Sequence, residues 1–175
     1  AYDAKGCLIS SIRDNNPVIF VEHRQLYMTE TDVPTDQYKL PLGQARTCAH
    51  GGDITIVGIS GVVMDCLRAR ELLEEVGISA EVIDPIWLAP LDRDSICKSV
   101  QRTGRLLVVD NGWTSCGAGA EILASVMETE GASAVAMRRM GFAPVTCPTT
   151  KILEDAFYPN PVTIASNAHS LVYPD

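Results

Sequence analysis

A chain of 175 residues that is 46% hydrophobic and 21% charged has the make-up of one folded domain, or of one domain with a piece of a neighbour. Its net charge of −8 and pI near 4.8 set it against phosphate backbones and anionic lipid, which excludes nucleic-acid binding. No run of about 18 apolar residues is present to span a membrane, and six widely spaced cysteines without a C-x-x-C argue against a zinc site.

Taken in chain order, Ala4, Cys7, Leu8, Ser11 and Ile12 recur at helical spacing, and Asp14-Asn15-Asn16-Pro17 stops that helix. Val18-Ile19-Phe20-Val21 then reads as a short buried strand. Residues 28–43 are polar and carry Pro34 and Pro41, which suits a linker. A second unit follows. Ile54-Thr55-Ile56-Val57-Gly58-Ile59 predicts a strand. Val62, Cys66, Ala69, Leu73 and Val76 predict one face of a helix that ends at Gly77. Residues 80–83 read as the next strand, and Asp92 as the N-cap of a helix carrying Ile96, Cys97 and Val100 that ends at Gly104. Leu106-Leu107-Val108-Val109 has the continuous apolar character of a parallel strand. A glycine-rich turn opens a helix with Ala120, Leu123, Ala124 and Met127, and residues 134–137 read as a fourth strand. Asn160-Pro161 starts a last helix with Val162, Ala165, His169 and Val172 along a face. Alternating strands and helices of this kind predict an α/β fold: three layers, a mostly parallel sheet with helices on both faces.

The candidate sites are few. Gly117-Ala118-Gly119-Ala120-Glu121-Ile122 is half a dinucleotide signature, with Ile122 where a third glycine belongs and a long loop before it, and reads as a tight packing turn. His23, His50 and His169 lack a partner at metal-ligand spacing. Gly58-Ile59-Ser60-Gly61-Val62 departs from a nucleophile elbow at its fifth position. Cysteines on apolar faces read as core fillers in a reducing, cytoplasmic-type compartment. The chain opens without a signal-peptide pattern and without Met, so sequence is expected upstream of Ala1. The helix end at Ser11, Ile12, Asp14 and Asn16 offers free carbonyls, a carboxylate and an amide, which can stop a helix as an Asx turn or hold a hard monovalent cation.

Several segments in order carry a resemblance. They are Ile12-Arg13-Asp14-Asn15-Asn16-Pro17-Val18-Ile19-Phe20-Val21-Glu22-His23, Leu40-Pro41-Leu42-Gly43-Gln44-Ala45 and Glu81-Val82-Ile83-Asp84-Pro85-Ile86-Trp87-Leu88-Ala89-Pro90-Leu91-Asp92. Thr103-Gly104-Arg105-Leu106-Leu107-Val108-Val109, Gly112-Trp113, the Gly117 turn and Lys151-Ile152-Leu153-Glu154-Asp155 complete them. Together they resemble the β subunits of thiamine-diphosphate-dependent 2-oxoacid dehydrogenases of the pyruvate, branched-chain and acetoin type. The resemblance implies that residues 1–27 are the remnant of a pyrimidine-binding domain, 28–43 a linker, and 44–175 a transketolase C-terminal-like domain. It implies a parent enzyme that decarboxylates a 2-oxoacid on thiamine diphosphate and passes the acyl group to a lipoyl arm. In the family the activating glutamate lies upstream of the segment matching Ala1, and Glu22 is not its equivalent. The diphosphate and Mg²⁺ belong to the α subunit. No catalytic or cofactor-binding residue is therefore expected here, and the chain is expected to be inactive alone. Implied partners are the α subunit, a second β subunit and the lipoyl acyltransferase core, in the cytoplasm or, in a eukaryote, the mitochondrial matrix. The family also implies potassium at Ser11, Ile12, Asp14 and Asn16. Asp110-Asn111 and the stretch 137–150 depart from the family's usual course. Two other readings are a stand-alone assembly module of the same fold and a nucleotide-binding domain built on the Gly117 turn.

Overall fold

The structure is a computed structural model that describes residues 1–129, 135–142 and 144–174. Its strands are β1 (Arg46–Ala49), β2 (Ile54–Gly58), β3 (Ala80–Asp84), β4 (Arg105–Trp113) and β5 (Ala136–Phe142). Its helices are α1 (Tyr2–Ile12), α2 (Val63–Glu75), α3 (Arg93–Thr103), α4 (Ala118–Met127), α5 (Lys151–Phe157) and α6 (Pro161–Val172). The sheet order is β1-β3-β2-β4-β5; only β1, at the edge beside β3, is antiparallel.

The continuous apolar runs explain the two-sided burial. Along β2, Ile54 and Ile56 join one cluster, with Cys66 and Leu73 of α2 and Ile164 and Ala168 of α6. Val57 turns the other way, toward Ile96 and Val100 of α3 and Ile122 and Val126 of α4. Leu107 and Leu106 divide in the same way on β4. The period of two in a strand thus feeds two helix layers from one sheet, and the expected three-layer α/β fold is what the structure has.

The predicted caps are in place. Asp92 accepts from the Ser95 amide at 3.1 Å, and Gly104 ends α3 in the left-handed region at φ 69°. Asn160 and Thr163 form a reciprocal cap at the start of α6, with Pro161 in the first turn. Asp92 also accepts from the Ala45 amide at 2.9 Å, which ties the entry of the domain to α3. Burial alone would raise the Asp92 carboxyl; the amide donors outweigh it and hold it below its ordinary value.

At the amino-terminal ends of the strands a buried polar network closes the sheet. Glu81, 3% exposed, accepts from Ser99 Oγ and Arg102 Nη2 on one oxygen and faces His50 Nδ1 at 3.3 Å on the other. Thr55 Oγ1 lies 2.7 Å from both Ser99 Oγ and Thr103 Oγ1. Each group in the set has a partner, which is the condition for burying them.

Four expectations need correction. Val18-Ile19-Phe20-Val21 forms no strand: Ile19 is 92% and Val21 83% exposed, and the run pairs with neither open edge of the sheet, β1 or β5, among the described residues. On α1 the buried face is Gly6, Cys7, Ser10 and Ser11, while Leu8 and Ile12 face outward. The reason is its cover: Tyr38 stacks on Tyr2, Leu40 closes on Gly6, and Ser10 Oγ donates to the Leu40 carbonyl, so small residues must face in. The polar stretch before the second unit is accordingly folded along α1. It is anchored further by Tyr38 Oη, which donates to the Tyr2 carbonyl at 2.8 Å, while Asp3 ties α1 to Arg46 of β1. β1 itself escaped the sequence reading, and β5 continues past the expected end at Met137 to Phe142; residue 134, where that strand is expected to begin, lies outside the described residues.

Candidate functional site

In a doubly wound sheet, ligands and catalytic groups gather outside the carboxyl ends of the strands, where neighbouring crossovers leave in opposite directions. Here that point lies between β2 and β4: α2 leaves β2 across one face toward β3, and the chain returns through α3 on the other face to β4. Three residues in the left-handed region sit just past the ends of successive parallel strands. They are Ser60 (φ 62°) after β2, Ile86 (φ 58°) after β3 and Cys116 (φ 56°) after β4. For residues other than glycine such a conformation costs on the order of 1–3 kcal/mol and persists only where the surroundings enforce it.

Charge at this end is partly buried. Asp84, at the end of β3, and Asp110, in the carboxyl-terminal half of β4, are both raised above the ordinary aspartate value by burial. The backbone amides of Ile86 and Asn111 work in the opposite direction. His23 reaches over from the connecting segment and lies against Gly61: a Cβ there would sit 2.9 Å from the imidazole. Three buried side-chain atoms at this end, His23 Nδ1, Trp87 Nε1 and Asn111 Oδ1, have no hydrogen-bond partner among the described residues.

The turn at Ser60 has the strand–turn–helix form of an exposed nucleophile, yet no hydrogen bond joins its hydroxyl to His23 or Asp110 among the described residues. The Gly117 turn is filled from within. A Cβ at Gly117 would meet the Trp113 carbonyl at 2.1 Å, and one at Gly119 would press on Val108 at 3.3 Å. These glycines let the loop and α4 approach β4, as the packing-turn reading has it.

The predicted cation ligands lie together at the end of α1, as an Asx turn. Asp14 Oδ1 accepts from the Asn16 backbone amide at 2.7 Å and from Asn16 Nδ2 at 2.8 Å. Those bonds hold its carboxyl below the ordinary value. Ser11 Oγ donates to the Cys7 carbonyl, the Ser11 carbonyl accepts from the Asp14 amide, and the Ile12 side chain faces outward, 73% exposed. Of the other histidines, His50 contacts Glu81 and His169 packs on Tyr173. Among the described residues no group of three or more His, Cys, Asp or Glu is placed to hold a metal ion. Burial raises the Cys7 thiol to about 11 and the Cys66 thiol further. Both behave as core fillers.

The sequence profile of the transketolase C-terminal domain matches residues 43–164. The chain belongs to the transketolase C-terminal domain family. Within that family it is 40% identical over 168 residues to the β subunit of acetoin:2,6-dichlorophenolindophenol oxidoreductase from Cupriavidus necator, a match of 95% of this chain and 50% of the relative. To the β subunit of the pyruvate dehydrogenase E1 component of Bacillus subtilis it is 44% identical over 126 residues, 71% of this chain and 39% of the relative. The chain thus spans about half, or less, of the length of these curated relatives. A split-gene transketolase, solved as an inactive beta4 tetramer, superposes with a TM-score of 0.71 at 21% identity over 81% of this chain and 46% of its own, which bears on the fold alone. No described helix of this transketolase C-terminal domain is long and apolar enough to cross a membrane.

The strained residues and unpaired atoms carried no sequence signal. Only the order of strands in space shows that Ser60, Trp87 and Asn111 share one end of a sheet. The contact of His23 with Gly61 gives a direct test. Gly61→Ala is expected to displace His23 and loosen the 3-10 turn Arg24–Met28, whose Leu26 amide donates to the His23 carbonyl at 2.9 Å. Hydrogen exchange should quicken at Leu26 and Thr29 while global stability changes by less than about 1 kcal/mol, since the clash is relieved by an exposed segment. Unchanged exchange there would show that the segment does not rest on Gly61.

Proposed function

We propose that this chain is the C-terminal portion of the β subunit of a thiamine-diphosphate-dependent 2-oxoacid dehydrogenase, serving subunit assembly and partner docking. The observation that carries the reading is the match of 95% of the chain, at 40% identity, to a β subunit of an acetoin-oxidising enzyme. On this reading residues 1–27 are a remnant of a pyrimidine-binding domain, 28–43 connect, and 44–175 form the transketolase C-terminal-like domain. In support, Val18-Ile19-Phe20-Val21 is strand-like but unpaired and lies before the matched region. The thiamine group, when bound in the parent enzyme, stabilises the carbanion left by loss of carbon dioxide. On this reading the ligands of that group and of its metal lie outside this chain. The part of this chain is to carry apolar and polar surfaces for an α subunit, a second β subunit and the lipoyl acyltransferase core, in the cytoplasm or the mitochondrial matrix.

The test is calorimetric titration of thiamine diphosphate with Mg²⁺. The chain alone should give no binding heat, and should co-elute with the α subunit of the Cupriavidus necator relative. Heat with the chain alone would overturn the reading and place a cofactor site within these residues. We further propose a weak potassium site at Ser11, Ile12, Asp14 and Asn16, supported by the ordered turn at the helix end. Thallium NMR competed with potassium should show binding that Asp14→Ala removes. A signal indifferent to that substitution would dismiss the site.

A further inference from the structure

The sequence holds five asparagines, and they differ in what can attack their side chains. An asparagine side-chain amide is open to the backbone nitrogen of the residue that follows it. Asn16 and Asn160 precede proline, which has no backbone N–H to give up. Asn15 precedes Asn16, whose own side chain stands in the way. Asn167 lies inside α6, with Nδ2 donating to the Thr163 carbonyl at 2.8 Å. Asn111 alone precedes a glycine, which opposes the approach with no side chain.

The fold leaves that dipeptide loose. Asp110, Asn111 and Gly112 belong to β4, yet none is in register with a neighbouring strand. The ladder with β2 ends where Gly58 faces Val109. On the β5 side Val109 faces Met140 and Trp113 faces Phe142, so three residues of β4 stand against the single residue Gly141. Such a bulge interrupts the ladder and leaves its extra residues unpaired. All three are half-buried, within reach of water. Asn111 Oδ1 has no hydrogen-bond partner among the described residues, whereas the side chains of Asn16 and Asn160 are both held.

A base stands beside the dipeptide. A Cβ on Gly112 would lie 2.8 Å from Asp110 Oδ2, so the carboxylate rests against the Gly112 α-carbon, one bond from its nitrogen. Burial raises this carboxyl above the ordinary aspartate value, against the Asn111 backbone amide, which lowers it. A carboxylate raised toward neutrality is the better proton acceptor at neutral pH.

We propose that Asn111-Gly112 is a self-modification site, at which Asn111 deamidates in the folded protein with Asp110 as the base. The Gly112 nitrogen bonds to the Asn111 side-chain carbonyl carbon and gives its proton to Asp110. The bond from that carbon to Nδ2 breaks, and the proton leaves on the departing ammonia. Water then opens the cyclic imide. Opening at the side-chain carbonyl leaves an aspartate. Opening at the main-chain carbonyl leaves an isoaspartate, whose backbone is one methylene longer.

Either product sets a second carboxylate beside Asp110 in a half-buried place, where like charges are costly. The isoaspartate also lengthens a crowded bulge: a Cβ on Gly141 would lie 2.4 Å from the Gly112 carbonyl. Trp113 follows directly. It meets Phe142 edge-on at 5.0 Å between centroids, and Phe142 stacks on Phe157 of α5 at 4.9 Å. The carboxyl end of β4 thus carries a slow, one-way chemical clock.

The experiment ages the purified chain at neutral pH under native conditions. Isoaspartate is counted with an isoaspartyl methyltransferase and a labelled methyl donor, and located by peptide mass mapping. Conversion at Asn111 should outrun that at each of the other four asparagines. Asp110→Ala should slow it by about tenfold or more, less than the full contribution of a positioned base because water also takes the proton. Asn111→Gln should remove the methyl-accepting signal and leave the circular dichroism unaltered. Conversion at Asn111 no faster than at Asn15 would overturn the proposal. So would an unchanged rate in a natively folded Asp110→Ala chain. A third arm adds an osmolyte that suppresses unfolding. Conversion that continues there supports the proposal, and conversion that stops assigns the reaction to the unfolded chain and overturns it. That arm uses the unaltered protein, so it decides the matter even where Asp110→Ala fails to fold. None of these outcomes bears on the proposed function.

Discussion

Leu107→Ala is expected to destabilise the chain by about 2–5 kcal/mol, the range for emptying a leucine site in a packed interior. Leu107 is fully buried in the middle of β4, with β2 on one side and β5 on the other, and it belongs to the cluster under α2 and α6. The cavity would lie between two strands and two helices, which cannot all move inward, so the cost belongs in the upper part of that range. For a chain of this size each kcal/mol lowers the melting temperature by about 2–4 °C, so thermal denaturation should show a drop of about 8–20 °C. A shift below about 4 °C would mean that α2 or α6 can collapse into the space, and that the layer they form is looser than the structure shows.

The second large effect is that of Glu81→Gln, and it depends on pH. Burial by itself pushes the Glu81 carboxyl upward; hydrogen bonds from Ser99, Arg102 and His50, with the nearby Arg102 charge, outweigh it and hold the group below its ordinary value of 4.5. A carboxyl depressed in the folded state contributes stability that is present above its unfolded value and is lost as pH falls through the folded value. Glutamine keeps the shape and loses the charge-assisted bonds, a cost of about 2 kcal/mol at neutral pH. Urea denaturation from pH 7 to pH 3 should therefore show the wild type losing its advantage, with the two proteins converging below pH 4.5. A constant difference across that interval would mean that the stabilisation comes from the shape of the side chain and not from its charge.

The two substitutions probe features of different legibility. Leu107 was readable as core because Leu106-Leu107-Val108-Val109 has no polar interruption, and a strand buried on both faces needs none. Glu81 was readable only as one letter of a family segment. Its neighbours Thr55, Ser99, Thr103 and Arg102 are 18 to 48 residues from one another's hydrogen-bond partners in sequence, and nothing in their spacing announces a network. The candidate site divides in the same way. The turn at Asp14 and Asn16 is local and was legible, as was the packing role of the Gly117 turn. The open carboxyl end was not, because it is assembled from the tails of three strands and a segment that arrives from outside the matched domain.

By itself the sequence determined the alternation of strands and helices, the caps at Asp92, Gly104 and Asn160, the two-faced burial of the strands and the family. Each of these rests on side chains a few residues apart, whose periodicity and capping chemistry act before any distant contact forms. Only the tertiary structure decided that β1 adds an antiparallel edge, that α1 turns its small residues inward under Tyr38 and Leu40, and that Val18-Ile19-Phe20-Val21 stays unpaired. Apolar character commits a residue to burial without naming the surface that covers it. For α1 the cover came from a stretch about 30 residues away. Val18-Ile19-Phe20-Val21 is held at neither open edge of the sheet, β1 or β5, and strand character in a sequence does not say which edge, if any, the chain brings it to.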